Sequence, residues 1–304
     1  MKIHNRMPRQ WWKHPISWIG DCMEKIALIP NVLRDIGLEE SKKLVQFLLE
    51  RNKIILMEDR FQNESLPNVC FCSMDTMMQE AELAVVLGGD GTILDIAPQA
   101  AHYNLPVFGI NLGNLGFLTQ SEKGDYAILD AVFSGEYDLC SCMMLNCAIL
   151  KNGQEISHFV ALNDVVVSGD GYSRMVTVSA SVNGTCIGTY SADGLITATA
   201  VGSTAYSLSA GGAVMHPEMD AMILTPICPH TLKARSMVIP GEDTIEIVSC
   251  PPYRSSVLVM VDGKRRHVLE NDEQIRITRS NYRIRLVHTQ NRNFFDVLRK
   301  KLSD

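Results

Sequence analysis

Short apolar runs alternate with helical patterns through the first part of the chain. Between the runs, apolar residues recur at helical spacing over 38–52 and over 92–103, where Pro98 is expected to kink or end the helix. Continuous apolar runs are typical of strands that are buried on both faces of a parallel sheet. The alternation therefore predicts an α/β domain. The runs lie at 25–29, 54–58, 83–87 and 106–110.

The pattern changes after about residue 125. Residues 122–137 are interpreted as a linking helix, and short alternating runs dominate beyond it. Turn pairs such as Asn152-Gly153 and Asn183-Gly184 separate these runs, which predicts antiparallel hairpins. The expected fold class is thus α/β, with an N-terminal Rossmann-like parallel-sheet domain and a C-terminal antiparallel β-rich domain.

Four segments follow from this division. Residues 1–22 are interpreted as an N-terminal extension that contains all three tryptophans, although translation starting at Met23 is the alternative. Residues 23–130 form the predicted α/β domain, and 131–290 form the predicted β-rich domain. An amphipathic helix within 291–304 is expected to pack back on the first domain.

Composition limits the class of partner. The 304 residues carry a net charge of −6, which argues against nucleic acid, because duplex binding depends on clustered Lys and Arg. There is no apolar stretch of about eighteen residues, so no membrane span is expected. Nine cysteines without a secretory signal pattern predict reduced thiols in the cytoplasm. The two Cys-x-Cys pairs are interpreted as buried small side chains, because their spacing differs from that of zinc ligands.

The strongest candidate for chemistry is the turn that follows the run at 83–87. Its glycines, Gly88, Gly89 and Gly91, let backbone N–H groups approach a ligand, and the helix that begins near Thr92 adds free donors that favour phosphate. Asp90 stands inside this cradle. A carboxylate there is useful if it binds Mg²⁺ or accepts the proton of a hydroxyl that is being phosphorylated.

Other interpretations of the turn stay open on its residues alone. It lacks the Gly-Lys-Ser/Thr of a Walker A loop and the spacing of the dinucleotide fingerprint. It also fits a tight strand-to-helix turn in which Asp90 caps the helix.

Two polar regions downstream are further candidates. Residues 202–212 concentrate glycines and hydroxyls around Tyr206, which suits either a flat ligand or a loop that leads into a short helix. Asn163 and Asp164 are suited either to binding ribose hydroxyls or to a β-bulge or Asx turn. Asp193, followed by Gly194, is a turn-like pair within a strand-rich stretch.

Four ordered segments resemble the NAD kinase family. The turn at 88–92 is shared with diacylglycerol, sphingosine and phosphofructo-kinases, so it indicates only the superfamily. The resemblance extends from about residue 25 to 300. Three segments narrow it to NAD kinases: 111–118 is similar to the family's N-x-G-x-L-G-F-L, Leu162-Asn163-Asp164 to its Asn-Glu/Asp motif, and 202–212 followed by 225–230 to its longest signature.

The resemblance implies a kinase that transfers the γ-phosphate of ATP to the 2′-hydroxyl of the adenosine ribose of NAD, giving NADP. Asp90 is the implied catalytic base. Mg²⁺ is expected through the ATP phosphates, with Asp90 as the one candidate protein ligand, and no other metal site is expected. A homodimer or homotetramer is implied. The implied ligand-binding residues are Gly88, Gly89, Gly91, Thr92, Asn111, Asn163, Asp164, Asp193, Thr204, Ala205, Tyr206, Ser207 and Ser209.

The chain also departs from the family pattern. Val201 stands where a threonine is usual and lacks its hydroxyl, and Lys264 stands where many members have glutamine. Two alternatives follow: a lipid kinase that uses the same turn on a diacylglycerol- or sphingoid-like acceptor, and a non-catalytic protein that senses NAD. Protection from heat by lipid vesicles would favour the first, and NAD binding without turnover would favour the second.

Overall fold

Parallel strands and helices alternate through the first part of the structure. The computed structural model describes residues 23–113, 116–170, 175–231, 233–251, 256–289 and 293–303, so the predicted extension 1–22 lies outside the described residues. Short 3₁₀ turns occur at Ile36–Leu38 and Asp59–Phe61. The first elements are β1 (Lys25–Pro30), α1 (Glu39–Leu49), β2 (Ile54–Glu58), β3 (Val69–Cys72), α2 (Met74–Glu80), β4 (Leu83–Gly88), α3 (Asp90–His102), β5 (Pro106–Asn111), β6 (Ser121–Glu122) and α4 (Ile128–Phe133).

These strands form a parallel sheet in the order β5-β4-β1-β2-β3. Pro98 was expected to kink or end its helix, and an end at Pro98 was wrong, since α3 continues to His102. A proline inside a helix costs about 3 kcal/mol. The burial of Ile93, Ala97 and Ala100 on one face of α3 offsets that cost. The predicted linking helix was too long, because only Ile128–Phe133 is helical.

Antiparallel hairpins make up the rest of the structure. A 3₁₀ turn at Gly202–Thr204 precedes α5. The elements are β7 (Asp138–Lys151), β8 (Gln154–Ala161), β9 (Asp164–Gly169), β10 (Val176–Val182), β11 (Thr185–Ala192), β12 (Gly194–Thr199), α5 (Tyr206–Ser209), β13 (Ala221–Ile227), β14 (Met237–Pro240), β15 (Ile245–Ser249), β16 (Val257–Val261), β17 (Lys264–Leu269), β18 (Glu273–His288) and α6 (Phe294–Leu302).

The long strand β18 joins the two parts. Its first half pairs antiparallel with β15, and its second half pairs parallel with β5 through Arg285 and Leu286. One twelve-stranded sheet, in the order β11-β10-β15-β18-β5-β4-β1-β2-β3 with three strands off this path, therefore runs through both parts. A second sheet, in the order β14-β13-β12-β9-β16-β17, packs on its antiparallel half, and one apolar core lies between the two. The predicted fold class is confirmed.

Two predictions about domains stay predictions. The boundary after residue 130 falls inside α4, and the shared sheet continues across it. The C-terminal helix α6 contacts both parts, because the ring of Phe294 lies 6.2 Å from that of Phe117 and 5.3 Å from that of His216.

Candidate active site

The candidate site lies at the carboxyl ends of neighbouring parallel strands, the usual ligand edge of an open α/β sheet. β4 ends at Gly88, Gly89 is the residue before α3, and Asp90 is the first helical residue. Asp90 therefore does not cap the helix. The space in front of the first turn is open, because Gly91 is exposed and a methyl group built on it would meet no atom within 4 Å.

Asp90 is held by the loop that follows β5. One carboxylate oxygen accepts a hydrogen bond from the N–H of Phe117 at 2.8 Å, and the other accepts one from Leu118 at 3.0 Å. A methyl group on Gly116 would overlap the carboxylate, so only glycine permits this approach. Because an ionised carboxylate has about four lone-pair sites, two stay available for a ligand.

Thr92 and Asn111 use their polar atoms to shape the turns. The Thr92 hydroxyl oxygen accepts a hydrogen bond from the Asn31 amide at 2.8 Å, and a methyl group on Gly88 would overlap it. The Asn111 side chain, which is buried, donates to the carbonyl oxygen of Gly113 at 2.7 Å and accepts from its N–H at 3.2 Å.

Asn163 and Asp164 lie where β8 passes into β9, and an unpredicted residue, Asp262, holds them. The Asp262 carboxylate accepts the N–H groups of Leu162, Asn163 and Asp164 at 2.8, 2.7 and 3.1 Å. The Oδ1 atom of Asn163 is buried without a hydrogen-bond partner among the described residues. Asp262 was not among the residues predicted from the sequence.

Burial raises the pKa values of the Asp164 and Asp262 carboxyls. Burial, and then the nearby charge of Asp262, raise the pKa of Asp164 to about 7. Burial also raises the pKa of Asp262, although its three N–H partners oppose that shift. Near neutral pH, Asp164 is therefore able both to donate and to accept a hydrogen bond.

The segment 199–212 reaches the same region through close backbone contacts. A methyl group on Gly202 would overlap the carbonyl oxygen of Asn163, and the Thr199 hydroxyl donates to the carbonyl oxygen of Leu162 at 2.6 Å. Thr204 and Ala205 are partly buried, whereas Tyr206 and Ser209 are exposed.

Ser207 and Asp193 lie differently from the other predicted residues. Ser207 is fully buried, and its hydroxyl lies 2.9 Å from that of Thr225. Asp193 immediately precedes β12, at the opposite end from Thr199, and is roughly 20 Å from it at the rise of a strand. Within one chain, Asp193 therefore lies apart from the predicted ligand-binding residues around Asn163.

Two features connect the regions around Asp90 and Asn163. The Lys264 ammonium, at the start of β17, forms an ion pair with Asp95 of α3. Its side chain therefore faces the helix that carries Asp90. A small pocket also joins the loop around Phe117 to the start of the 199–212 segment, and it is lined partly by Val201, Thr204 and Phe294.

The fold and the site together define an α/β protein with a phosphate-binding turn and a carboxylate poised at the start of a helix. Family models for the ATP-NAD kinase N-terminal domain and the ATP-NAD kinase C-terminal domain match residues 26–137 and 162–289. The chain therefore belongs to the ATP-NAD kinase family, which is a family of phosphotransferases. This confirms the family and the enzyme class predicted from the sequence.

Individual relatives named NAD kinase match the chain over most of its length. The chain is 38% identical over 283 residues to the NAD kinase of Thermoanaerobacter sp. (strain X514), covering 93% of this chain and 100% of that protein. It is 44% identical over 282 residues to the NAD kinase of Symbiobacterium thermophilum, covering 92% and 99%.

Two solved structures have the same fold. Yeast NADH kinase complexed with NADH has a TM-score of 0.82 at 23% identity, covering 93% of this chain and 88% of that one. An NAD kinase from Archaeoglobus fulgidus in complex with ATP has a TM-score of 0.70 at 24% identity, covering 92% and 98%.

Proposed function

We propose that this chain transfers the γ-phosphate of ATP to the 2′-hydroxyl of the adenosine ribose of NAD and so forms NADP. The observation that carries this proposal is the Asp90 carboxylate, fixed by two backbone N–H groups at the start of α3 beside an open helix N-terminus. Phosphate is attracted to such a terminus, and a carboxylate beside it is suited to accept the proton of an attacking hydroxyl.

The proposed step needs only these groups and the two substrates. The 2′-oxygen of NAD attacks the γ-phosphorus in line, the bond from that phosphorus to the bridging oxygen breaks, and ADP leaves. A free lone pair of Asp90 takes the hydroxyl proton. Because such a transition state is loose, most of the acceleration comes from positioning and from neutralising charge. The N–H group of Gly91, in the open first turn of α3, supplies part of that neutralisation.

The Asn163 region supports recognition of the dinucleotide. A buried amide oxygen without a partner costs free energy unless a ligand or water satisfies it, which favours a hydroxyl of NAD at Asn163. Asp164 adds a carboxyl that is able to donate as well as accept. Another wall is formed by Thr204, Ala205, Tyr206 and Ser209. Asn111 contributes by holding the backbone of Gly113, and the buried Ser207 hydroxyl ties this segment to Thr225 of β13.

Mg²⁺ fits this site as a companion of ATP. Across the described residues there is no group of three His, Cys, Asp or Glu side chains that could hold a metal ion. Mg²⁺ is commonly bound by one or two carboxylates together with substrate phosphates, so a single carboxylate such as Asp90 suffices. The ion would neutralise phosphate charge.

The setting of the protein is also part of the proposal. In the described part of the chain, all eight cysteines are free thiols, which supports a reducing cytoplasm. No described helix is both long and apolar enough to span a membrane. A homodimer or homotetramer rests on the family resemblance, and sedimentation of the purified protein tests it.

The decisive experiment mixes purified protein with NAD, ATP and Mg²⁺ and detects NADP with an NADP-specific dehydrogenase. Wild type is expected to form NADP, and Asp90→Asn is expected to lose at least about a hundredfold in rate. Asp272→Asn, on an exposed carboxylate that pairs with Lys151, is the matched control and should keep wild-type activity. A folded wild type that binds NAD without forming NADP would leave the sensor alternative, and phosphorylation of diacylglycerol vesicles instead would leave the lipid kinase.

A further inference from the structure

The segment after β1 is docked onto the glycine turn. The N–H of Asn31 donates to the carbonyl oxygen of Leu87 at 2.8 Å, and its side-chain amide donates to the Thr92 hydroxyl at 2.8 Å. One bond precedes Gly88 and the other follows Gly91, so both sides of the turn are tied to this segment.

Arg34 lies in the middle of the docked segment on a fixed backbone. Its N–H donates to the carbonyl oxygen of Asn31 at 3.0 Å. The next residue, Asp35, is buried, and its carboxylate accepts the N–H groups of Glu40 and Ser41 at 2.9 and 3.0 Å at the start of α1. Arg34 is therefore anchored on both sides.

The guanidinium of Arg34 extends over the candidate site. A methyl group built on Gly89 would lie 3.1 Å from its Nη1 atom, and one built on Gly113 would lie 2.8 Å from the same atom. The cation thus covers the turn after β4 and the turn after β5 together. These glycines leave room for the guanidinium as well as for a ligand.

The charge of Arg34 has no protein partner in the described residues. Other arginines with charged neighbours form ion pairs, as Arg51 does with Asp130 and Arg276 with Glu246. Arg34 is exposed and forms no ion pair with any carboxylate that the structure describes. An unpaired guanidinium beside an open helix N-terminus is suited to a ligand that carries several negative oxygens.

We propose that Arg34 binds the triphosphate of ATP and neutralises the γ-phosphoryl group as it transfers, a role that rests on the proposed function. A guanidinium matches phosphate in a bidentate, planar geometry, and the charge of a loose transition state is spread over its equatorial oxygens. Asp90 accepts the hydroxyl proton. Arg34 supplies the positive charge that neutralises the phosphoryl oxygens, which backbone N–H groups neutralise only in part.

The test compares Arg34→Ala and Arg34→Lys with Arg276→Met, a control that removes one exposed positive charge far along the sheet. Relative to wild type, we expect Arg34→Ala to lower kcat/KM for ATP by at least about a hundredfold, the scale of losing a preorganised donor. The KM for NAD should change less than about threefold, since NAD contacts other residues. Guanidinium at tens of millimolar is expected to restore part of the activity to Arg34→Ala and none to Asp90→Asn, which separates a missing charge from a disturbed fold. Arg34→Lys keeps the charge without the planar fork and should fall between wild type and the alanine variant.

Calorimetry with ATP and no NAD gives a second readout that does not need turnover. Arg34→Ala should bind ATP at least about tenfold more weakly than Arg276→Met, a difference of 1.4 kcal/mol. If both Arg34 variants keep wild-type kcat/KM and wild-type affinity for ATP, the role of Arg34 is overturned while NADP formation by wild type still upholds the function. If wild type forms no NADP, the proposed function fails, and the calorimetry alone decides whether Arg34 binds phosphate. If Arg34→Ala does not fold, Arg34→Lys decides by the same two readouts.

Discussion

The substitution Gly91→Ala is expected to raise the stability of the protein and, at the same time, to lower its activity by blocking phosphate at the N-terminus of α3. Gly91 is the second residue of the helix, and a methyl group there meets no atom within 4 Å. Its φ lies outside the left-handed region, so alanine adopts this backbone without strain. The folded protein therefore accepts Gly91→Ala.

The expected gain in stability follows from helix propensity. Alanine is favoured over glycine inside a helix by about 0.5–1 kcal/mol, because it loses less conformational freedom on folding. For a chain of this size, that gain corresponds to an increase in Tm of about 1–3 °C.

The expected loss of activity follows from the same open space. A phosphate oxygen has to come within about 2.9 Å of a backbone nitrogen to accept its hydrogen bond. The added methyl group stands in the space from which a phosphate would approach the first turn of α3. Loss of one preorganised donor costs about 10²–10³ in rate, so kcat/KM for ATP should fall by at least about a hundredfold.

Thermal unfolding and the coupled NADP assay measure both effects on one preparation. Gln99→Ala is the matched control, since it changes an exposed residue of α3 more than two turns away from Gly91. The control should keep wild-type activity. If Gly91→Ala melts at or above the wild-type temperature and keeps activity within about threefold, phosphate does not approach this helix terminus, and the reasoning is refuted.

Three further outcomes are expected. Gly116→Ala should push the Asp90 carboxylate off its two N–H donors and lower activity at least about a hundredfold, with a loss of about 1–3 kcal/mol in the free energy of unfolding by urea. Asp262→Ala should cost about 3 kcal/mol or more, because three backbone N–H groups lose their acceptor, and it should weaken NAD binding measured by calorimetry. Asp164, whose pKa rises from 3.8 to about 7 on folding, makes the folded state bind its proton more tightly than the unfolded state does. From Asp164 alone, the free energy of unfolding should therefore fall by up to about 4 kcal/mol as pH rises from about 4 to about 7. Asp164→Asn should lack this contribution and keep only the smaller decline that comes from Asp262, whose pKa is also raised.

Each of these outcomes has a clear contrary result. Wild-type kinetics in Gly116→Ala would mean that Asp90 works without its N–H donors. An unchanged affinity for NAD in Asp262→Ala would separate Asp262 from the dinucleotide. Parallel curves of unfolding free energy against pH for wild type and Asp164→Asn would show that Asp164 does not titrate in this range.

Local patterns were enough to predict the elements that depend on local physics. The apolar runs at 83–87 and 106–110 became β4 and β5, and the glycine turn lies between β4 and α3 as expected. The pairing of β18 with β5 could not be predicted from the sequence. The two strands are nearly 180 positions apart, and the alternation of apolar and polar residues in β18 does not indicate which strand it pairs with. Whether α3 ends at Pro98 or continues could not be decided from the sequence, because the packing of its buried face is a tertiary effect.

The residues of the candidate site also fall into those that a local pattern predicts and those that depend on contacts between distant segments. Asp90 was predicted because a carboxylate inside a phosphate-binding glycine turn is useful only if it binds Mg²⁺ or accepts a hydroxyl proton. Asp262, Asn31 and Arg34 were missed, because their importance lies in contacts with segments far along the chain. The signal for Asp262 was present, since an Asp-Gly pair at a hairpin turn frees the carboxylate to reach a neighbouring loop.

Two carboxylates organise the two halves of the candidate site by the same device. Asp90 accepts two main-chain N–H groups and Asp262 accepts three, so each satisfies backbone donors where the chain passes from one element to the next. The ion pair of Lys264 with Asp95 also links the Asp262 turn to α3, but both side chains are about half exposed, so it contributes at most about 1 kcal/mol. The relative position of the two halves must therefore be set mainly by the shared sheet, in which β18 pairs with β5 on one side and continues into the antiparallel strands on the other. A substitution that weakens the pairing of β18 with β5 should for this reason disturb Asp90 and Asn163 relative to each other more than the loss of Lys264 does.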